Sequence, residues 1–381
     1  MQAALALAGQ QSGVELIGCH VYAASLHRGR FAEMESGLPE AYQQDERLRQ
    51  LRHTHASLIE DGLQIISEAY LAPLLQAAQA QGVACRTISR QGVHYVTLLE
   101  VIEEHQPDLV VLGAWGHGRV AESELGSLVE RVLTHAHSCD VLVVRHAWRL
   151  QGDVMLVGVD GSPCSYVAVQ RTAELARAAG AHMEAVAVYD PFFHSEVFQV
   201  IAQVLPEPTQ EHFDFRAQQQ LHDEIIDRGL EALYQTDLQQ GVALARQKGV
   251  EASSQLLTGK VFAQLHHYAA ARRAALLTVG RWGRHHHPRS LIGSNALNLA
   301  RLCTTNLLVV ALPQRPIQPL EAADEGEQKL TWTPEAEAVL GRVPAFARPL
   351  ARQAVEARAR QQGINPIPPE LVHPPTSKTD P

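Results

Sequence analysis

The chain has 381 residues, 46% of them hydrophobic and 19% charged, which is more than one compact domain accommodates, so two or three units are expected. Thirty-two basic against 41 acidic residues leave a net charge of −9, which argues against nucleic acid as a partner. The five cysteines, at 19, 85, 139, 164 and 303, form no CxxC pair, which argues against structural zinc, an iron–sulfur cluster or a disulfide framework and suits reduced thiols in the cytoplasm.

Residues 1–8 read as the end of a helix, and although they are apolar no basic stretch precedes them. No other run approaches the roughly 18–20 apolar residues a bilayer span needs, so no membrane partner is expected. Beyond them a fixed offset of 167 residues takes Gly13 to Gly180, Val21-Tyr22 to Val188-Tyr189, His55 to His222, Gly82-Val83 to Gly249-Val250 and Gly92 to Gly259. One residue is lost late in the repeat, where Asp140-Val141-Leu142 aligns with Asn306-Leu307-Leu308. The chain therefore reads as two copies of one domain followed by a tail.

In the second copy, 154–159 reads as a first strand, 162–179 as a helix ended by Gly180, 184–189 as a second strand, 274–279 as a later one and 306–312 as the last. Short apolar runs alternating with helical periodicity indicate a parallel sheet covered by helices. A long segment, 191–215, follows the second strand and has its counterpart at 23–48. Its length suits either a partly helical excursion or a functional lid.

The late strand of copy two runs into Gly280-Arg281-Trp282-Gly283, nine residues, then Gly293-Ser294 opening a helix; copy one has Gly113-Ala114-Trp115-Gly116, nine residues, then Gly126-Ser127. Both fit G-x2-G-x9-G-[ST]. Bare glycines let amides approach an anion, and a helix start adds unpaired donors with partial positive charge. Ser127 and Ser294 offer hydroxyls and are expected to cap their helices. No G-K-[ST] follows, so this is not a Walker loop. Trp115 and Trp282 either cover the phosphate site or pack against the sister copy.

These residues resemble the ATP-binding subgroup of the universal stress protein family, over about 1–312 in tandem. The resemblance implies two open parallel-sheet α/β domains, Rossmann-like and similar to adenine nucleotide alpha hydrolases, pairing as an internal pseudo-dimer. It implies ATP, with or without Mg, as the ligand. Asp160, in the run Asp160-Gly161-Ser162 after the first strand, and Val188 would address the adenosine. Gly280 would lie beside the ribose, with Gly283, Gly293 and Ser294 around the phosphates; Gly113, Gly116, Gly126 and Ser127 are their counterparts in copy one. The counterpart of Asp160 falls at 160 − 167 = −7. Copy one thus lacks its first strand in this sequence, either because the start is too far downstream, the favoured reading, or because the repeat is shortened; copy two is the better site.

The triplet His285-His286-His287 inside the loop, with His266-His267 before it, has no matching carboxylate spacing and reads as a solvated loop that could meet phosphate when protonated, rather than a metal site. The repeated His55 and His222 read as inherited structure. No nucleophile lies at a diagnostic spacing from a His–Asp pair, so no catalytic residue is assigned and binding is favoured over turnover. The rival readings are a slow ATP hydrolase or nucleotide-dependent enzyme, and a scaffold without nucleotide.

The domains are read as 1–148, 152–312, a linker at 313–329, a small helical module at 330–373 and a disordered tail at 374–381. In the module Thr333 is an N-cap with Pro334 at the first helical position and Ala336, Val339 and Leu340 as an apolar stripe; a second helix is expected over 346–361. The run from Trp332 through Pro344, Phe346 and Arg348, with Glu356 and Gly363-Ile364, is similar to the C-terminal helical domain of the light-independent protochlorophyllide reductase B subunit. Without that enzyme's catalytic core, the similarity implies a module that docks a protein partner.

Overall fold

The computed structural model describes residues 1–10, 13–39, 42, 45–116, 124–147, 154–190, 227–287, 289–312, 330–341, 348, 352, 355–356, 359 and 364–372. Two compact units are present, 1–314 and 315–381. In the first unit the strands are β1 (Glu15–Tyr22), β2 (Ala84–Gln91), β3 (Leu109–Gly113), β4 (Asp140–Val144), β5 (Val154–Gly158), β6 (His182–Tyr189), β7 (Ala252–Thr258), β8 (Leu276–Gly280) and β9 (Asn306–Val310). The helices are α1 (Gln2–Gly9), α2 (Ala24–Met34), α3 (Asp45–Ala80), α4 (His94–His105), α5 (Ser127–His135), α6 (Pro163–Ala179), α7 (Asp227–Gln247), α8 (Val261–Ala271) and α9 (Ser294–Leu302).

Copy two forms the parallel order β9-β8-β5-β6-β7, which continues through β4 and β3 into one seven-stranded sheet, while β1 and β2 pair separately. The seam between the copies is the antiparallel pair β4–β9, centred on Leu142 opposite Leu308. These two leucines are equivalent in the repeat, so the seam lies on a local two-fold axis, as in a symmetric dimer. Side chains alternate along the strands with period two. Met155, Val157 and Val159 face α6 and α7, with Ala168, Leu238 and Ala245. Leu156, Leu277, Leu307 and Val309 face α5, α8 and α9, with Leu133, Leu265 and Leu299. Each such fully buried leucine contributes on the order of 2 kcal/mol of transfer free energy.

Local capping accounts for several element ends. Ser162 accepts the Ser165 amide at 3.2 Å and Pro163 opens α6, an arrangement that answers one unpaired donor and needs no proline N–H. Gly180 ends α6 with φ 61, and Gly13, its counterpart beyond α1, has φ 80; only glycine takes these left-handed angles without strain. The α1 helix therefore matches the end of α6, as the sequence indicates. Among the described residues of copy one, no strand lies between β1 and β3 in sheet order as β5 lies between β6 and β8, and β1 and β3 lie in different sheets. Correspondingly β3 is half-buried along its length where β8 is buried. The excursion after β1 is helical, comprising α2, a 3-10 turn at Glu35–Gly37 and the start of α3; its counterpart at 191–215 lies outside the described residues.

The second unit holds α10 (Pro334–Gly341) and α11 (Pro369–Val372). Thr333 Oγ1 accepts the Ala336 amide at 3.2 Å, Ala336 and Leu340 are buried, and Val339 is half-buried. Ile367 packs with Val355 and Ala359 beside Trp332, whose ring lies 4.7 Å from the Arg352 guanidinium and whose indole N–H donates to Glu356 at 3.0 Å. The expected helix over 346–361 is described only at 348, 352, 355–356 and 359, each helical. The linker at 313–329 and the end of the tail lie outside the described residues.

All five cysteines are free; Cys139, Cys164 and Cys303 are buried and Cys19 and Cys85 half-buried. Burial pushes the Cys139 thiol up to about 11 and raises the others. Because the thiolate is the reactive form, a small thiol reagent at pH 7.5 should label only Cys19 and Cys85 in the native protein, and all five after denaturation. Rapid labelling of Cys164 without unfolding would contradict this packing.

Candidate functional site

Within copy two the chain runs from β5 to β6 and β7 on one side, then returns to β8 on the other. The carboxyl ends of β5 and β8 thus flank the topological switch, where open α/β sheets form their crevices. Asp160 follows β5 and the glycine loop follows β8. Asp160 Oδ1 accepts the Ser162 amide at 3.0 Å and Oδ2 accepts the Arg284 amide at 2.9 Å. A Cβ on Gly283 would lie 2.6 Å from Asp160 Oδ2, closer than real Cβ contacts come, so this position admits only glycine without displacement. The structure brings Asp160 and Gly283 together.

The other loop glycines meet the chain itself. A Cβ on Gly280 would stand 3.0 Å from the Cys164 carbonyl carbon at the start of α6, and one on Gly293 3.0 Å from Arg281 O. The Gly293 amide donates to Arg281 O at 2.8 Å, and in copy one the Gly126 amide donates to Ala114 O at the same distance. Both loops therefore close by the same bond. Gly113 has the Trp115 carbonyl oxygen 3.5 Å from its Cβ position, and Gly116 meets nothing within 4 Å among the described residues; none of these opposes it as Asp160 opposes Gly283. Residues 117–123 lie outside the described residues.

The expected capping by the loop serines is corrected. Gly126 and Gly293 are the N-caps of α5 and α9, with no side-chain cap bond, and Ser127 and Ser294 are the first helical residues. A serine one position inside the helix has left the extended geometry from which a cap reaches the N2 and N3 amides. Both serines are exposed, and a glycine cap leaves the first-turn amides to other acceptors. Val188 is 4% exposed within the core that faces α8 and α9. Its main chain, not its side chain, is what it could offer a ligand.

Sequence reasoning missed four groups that complete the crevice. Arg284 donates through Nε to Asp160 O at 2.8 Å and through Nη2 to Asp237 Oδ2. The Tyr166 hydroxyl lies 2.8 Å from Gln240 Oε1 and 3.3 Å from Asp237 Oδ1, and its single proton serves one of them at a time. The Arg284 guanidinium also stands 5.6 Å from the Tyr234 ring. Burial raises the Asp237 carboxyl pKa against the pull of Arg284, and raises the Tyr166 and Tyr234 hydroxyls, so both phenols stay protonated. Arg284 was adjacent to the motif, but nothing in the spacing of α7 marked Asp237.

The loop also reaches the sister copy. Arg281 is fully buried; its amide bonds Val310 O at 2.8 Å and its guanidinium donates to Leu133 O at the end of α5. Its Nε and Nη2 find no partner among the described residues. Arg145 of copy one returns the contact to Ala300 O, the equivalent carbonyl of α9. Trp282 packs toward copy one, 6.3 Å from the His137 ring, with His286 at 4.9 Å on its own loop, while Trp115 stacks on Arg145 at 4.9 Å. Trp282 thus has a neighbour in the sister copy, while the contact of Trp115 with Arg145 lies within its own copy. His285, His286 and His287 are exposed, and His55 stacks on Phe31 at 4.2 Å between α2 and α3. His222 lies outside the described residues.

Fold and crevice define a tandem α/β protein, two copies sharing a sheet with a glycine loop following the late strand of each. Residues 1–145 and 153–311 each match the family model described as "Universal stress protein family", and the chain belongs to that family. Residues 332–374 match "Proto-chlorophyllide reductase 57 kD subunit". Universal stress protein Sll1654 of Synechocystis sp. is 41% identical over 78 residues, 19% of this chain and 49% of its own length. Universal stress protein MJ0531 of Methanocaldococcus jannaschii is 34% identical over 88 residues, 23% of this chain and 51% of its own. The chain spans about half the length of these curated relatives. A solved structure described as a putative universal stress protein of Pseudomonas aeruginosa UCBPP-PA14 shares 15% identity, covers 79% of this chain and 94% of its own, and superposes with a TM-score of 0.49. No described helix is long and apolar enough to cross a membrane.

Proposed function

We propose that copy two binds ATP and reports its presence through the pseudo-dimer, as a regulatory protein rather than an enzyme. The observation that carries this reading is the approach of Gly283 to Asp160, within 2.6 Å of a Cβ position, beside the side-chain-free cap of α9. A carboxylate for the nucleoside, after β5, and bare amides for an anion, after β8, then lie side by side. Arg281 links that loop to α5 of copy one, so a ligand that moves the loop is felt across the seam. Mg would accompany the triphosphate, and the cytoplasm suits five free thiols. The module at 332–374 would dock a protein partner, a reading supported by its match to a reductase subunit.

Calorimetric titration with ATP, followed by phosphate-release assays, tests the reading. Binding without turnover supports it, turnover supports the enzyme, and no binding overturns it. Asp160→Ala removes the acceptor for the nucleoside and should weaken ATP about ten-fold, the scale of one hydrogen bond to a charged group. Unchanged affinity would move the nucleoside elsewhere.

A further inference from the structure

We infer that Arg284 is a latch across the nucleoside end of this crevice, making the site selective for phosphorylated nucleotides over free nucleosides; the inference rests on the ATP reading above.

One residue holds both carboxylates of the crevice. The Arg284 amide takes Asp160 Oδ2 at 2.9 Å, its Nε takes Asp160 O at 2.8 Å, and its Nη2 takes Asp237 Oδ2. The guanidinium lies against bare backbone, since a Cβ on Gly161 would come within 2.1 Å of Nη2. The ion pair is partly shielded: Arg284 is exposed as a residue, with 30% of its side chain accessible, while the Asp237 side chain is 11% exposed, and Tyr166 and Tyr234 flank it. Charge-assisted bonds with one partner shielded are stronger than fully exposed pairs.

A nucleoside hydroxyl or amino group that donates to Asp160 competes with the Arg284 amide for the same oxygen. Approach to that oxygen from the Arg284 side displaces the loop and parts the Arg284–Asp237 pair. Adenosine brings nothing to compensate the freed guanidinium. A triphosphate does, because Arg284 sits on the loop proposed above to hold the anion, and it exchanges one anionic partner for another. The latch therefore opens for ATP and resists adenosine.

The test is calorimetry of adenosine and of ATP on the full chain, for wild type, Arg284→Gln and Arg284→Lys, together with hydrogen exchange of residues 283–290 without ligand. Wild type should prefer ATP. Arg284→Gln should tighten adenosine and weaken ATP, each by about ten-fold, the scale of a charge-assisted bond, and Arg284→Lys should restore part of the preference. Exchange across 283–290 should rise in Arg284→Gln. If wild type binds ATP and the ATP-to-adenosine ratio is the same in Arg284→Gln, or if exchange is unchanged, the latch is overturned while the nucleotide reading stands. If wild type and Arg284→Gln both bind neither ligand, the nucleotide reading falls and the selectivity with it.

Discussion

Gly283→Val weakens ATP binding by about 2 kcal/mol, roughly thirty-fold in Kd, the cost expected of overpacking a tight contact. The Cβ alone would lie 2.6 Å from Asp160 Oδ2, and valine adds two methyls beyond it. Asp160 cannot swing aside freely, because Ser162 N at 3.0 Å and Arg284 N at 2.9 Å hold its two oxygens. Either the carboxylate leaves its place or the loop lifts, and each separates the groups whose meeting defines the site. The contact involves a loop residue and not the buried sheet, so the unfolding midpoint should fall by no more than a few degrees. Gly116→Val in copy one, where a Cβ meets nothing within 4 Å, should leave that midpoint unchanged. Calorimetry and thermal unfolding monitored by circular dichroism check these results; undiminished ATP affinity in Gly283→Val would remove Gly283 from the site.

What could be read from the sequence follows the range of the forces involved. Strand 154–159 was legible because an apolar run bounded by turn residues reports burial locally, and β5 runs Val154–Gly158. The repeat exposed the paired loops, and Gly126 and Gly293 close them by the same amide bond. The helix caps were misplaced by one residue, from Gly293 to Ser294, because residue preference alone does not tell the cap from the first helical position. Arg284 and Asp237 escaped notice because their pairing with Asp160 and with each other spans 124 and 47 residues and no periodicity encodes it. The seam escaped for a related reason: β4 and β9 are alike in composition, yet their antiparallel pairing follows from how two sheets meet. The Asp140 and Asn306 correspondence was visible, and it marked positions whose side chains tie the seam.

The side-chain amide of Asn306 makes three hydrogen bonds at that seam, and Asn306→Ala should destabilise the first unit by about 3 kcal/mol, since each buried group left unpaired costs about 1–3 kcal/mol. Its Oδ1 accepts the Arg145 amide at 2.8 Å and the His146 amide at 3.1 Å from copy one, and its Nδ2 donates to Ala275 O at 3.1 Å. The residue is 4% exposed, so water does not replace what alanine removes. Asp140, its equivalent, accepts the Ala311 amide at 2.9 Å and meets the half-exposed Arg171 at 3.2 Å. Burial raises its carboxyl pKa against those partners, so Asp140→Ala relieves a desolvation penalty while losing the Ala311 amide bond and the half-exposed Arg171 pair, and should cost less than Asn306→Ala. Asn306→Asp keeps the acceptor for copy one but loses the donor to Ala275 O and brings a second carboxylate to the seam, so it should fall between the two. Urea unfolding monitored by circular dichroism ranks the three. If Asn306→Ala proves the mildest, the copies are joined by the apolar pairing of Leu142 with Leu308 and not by the reciprocal polar bonds on either side of it.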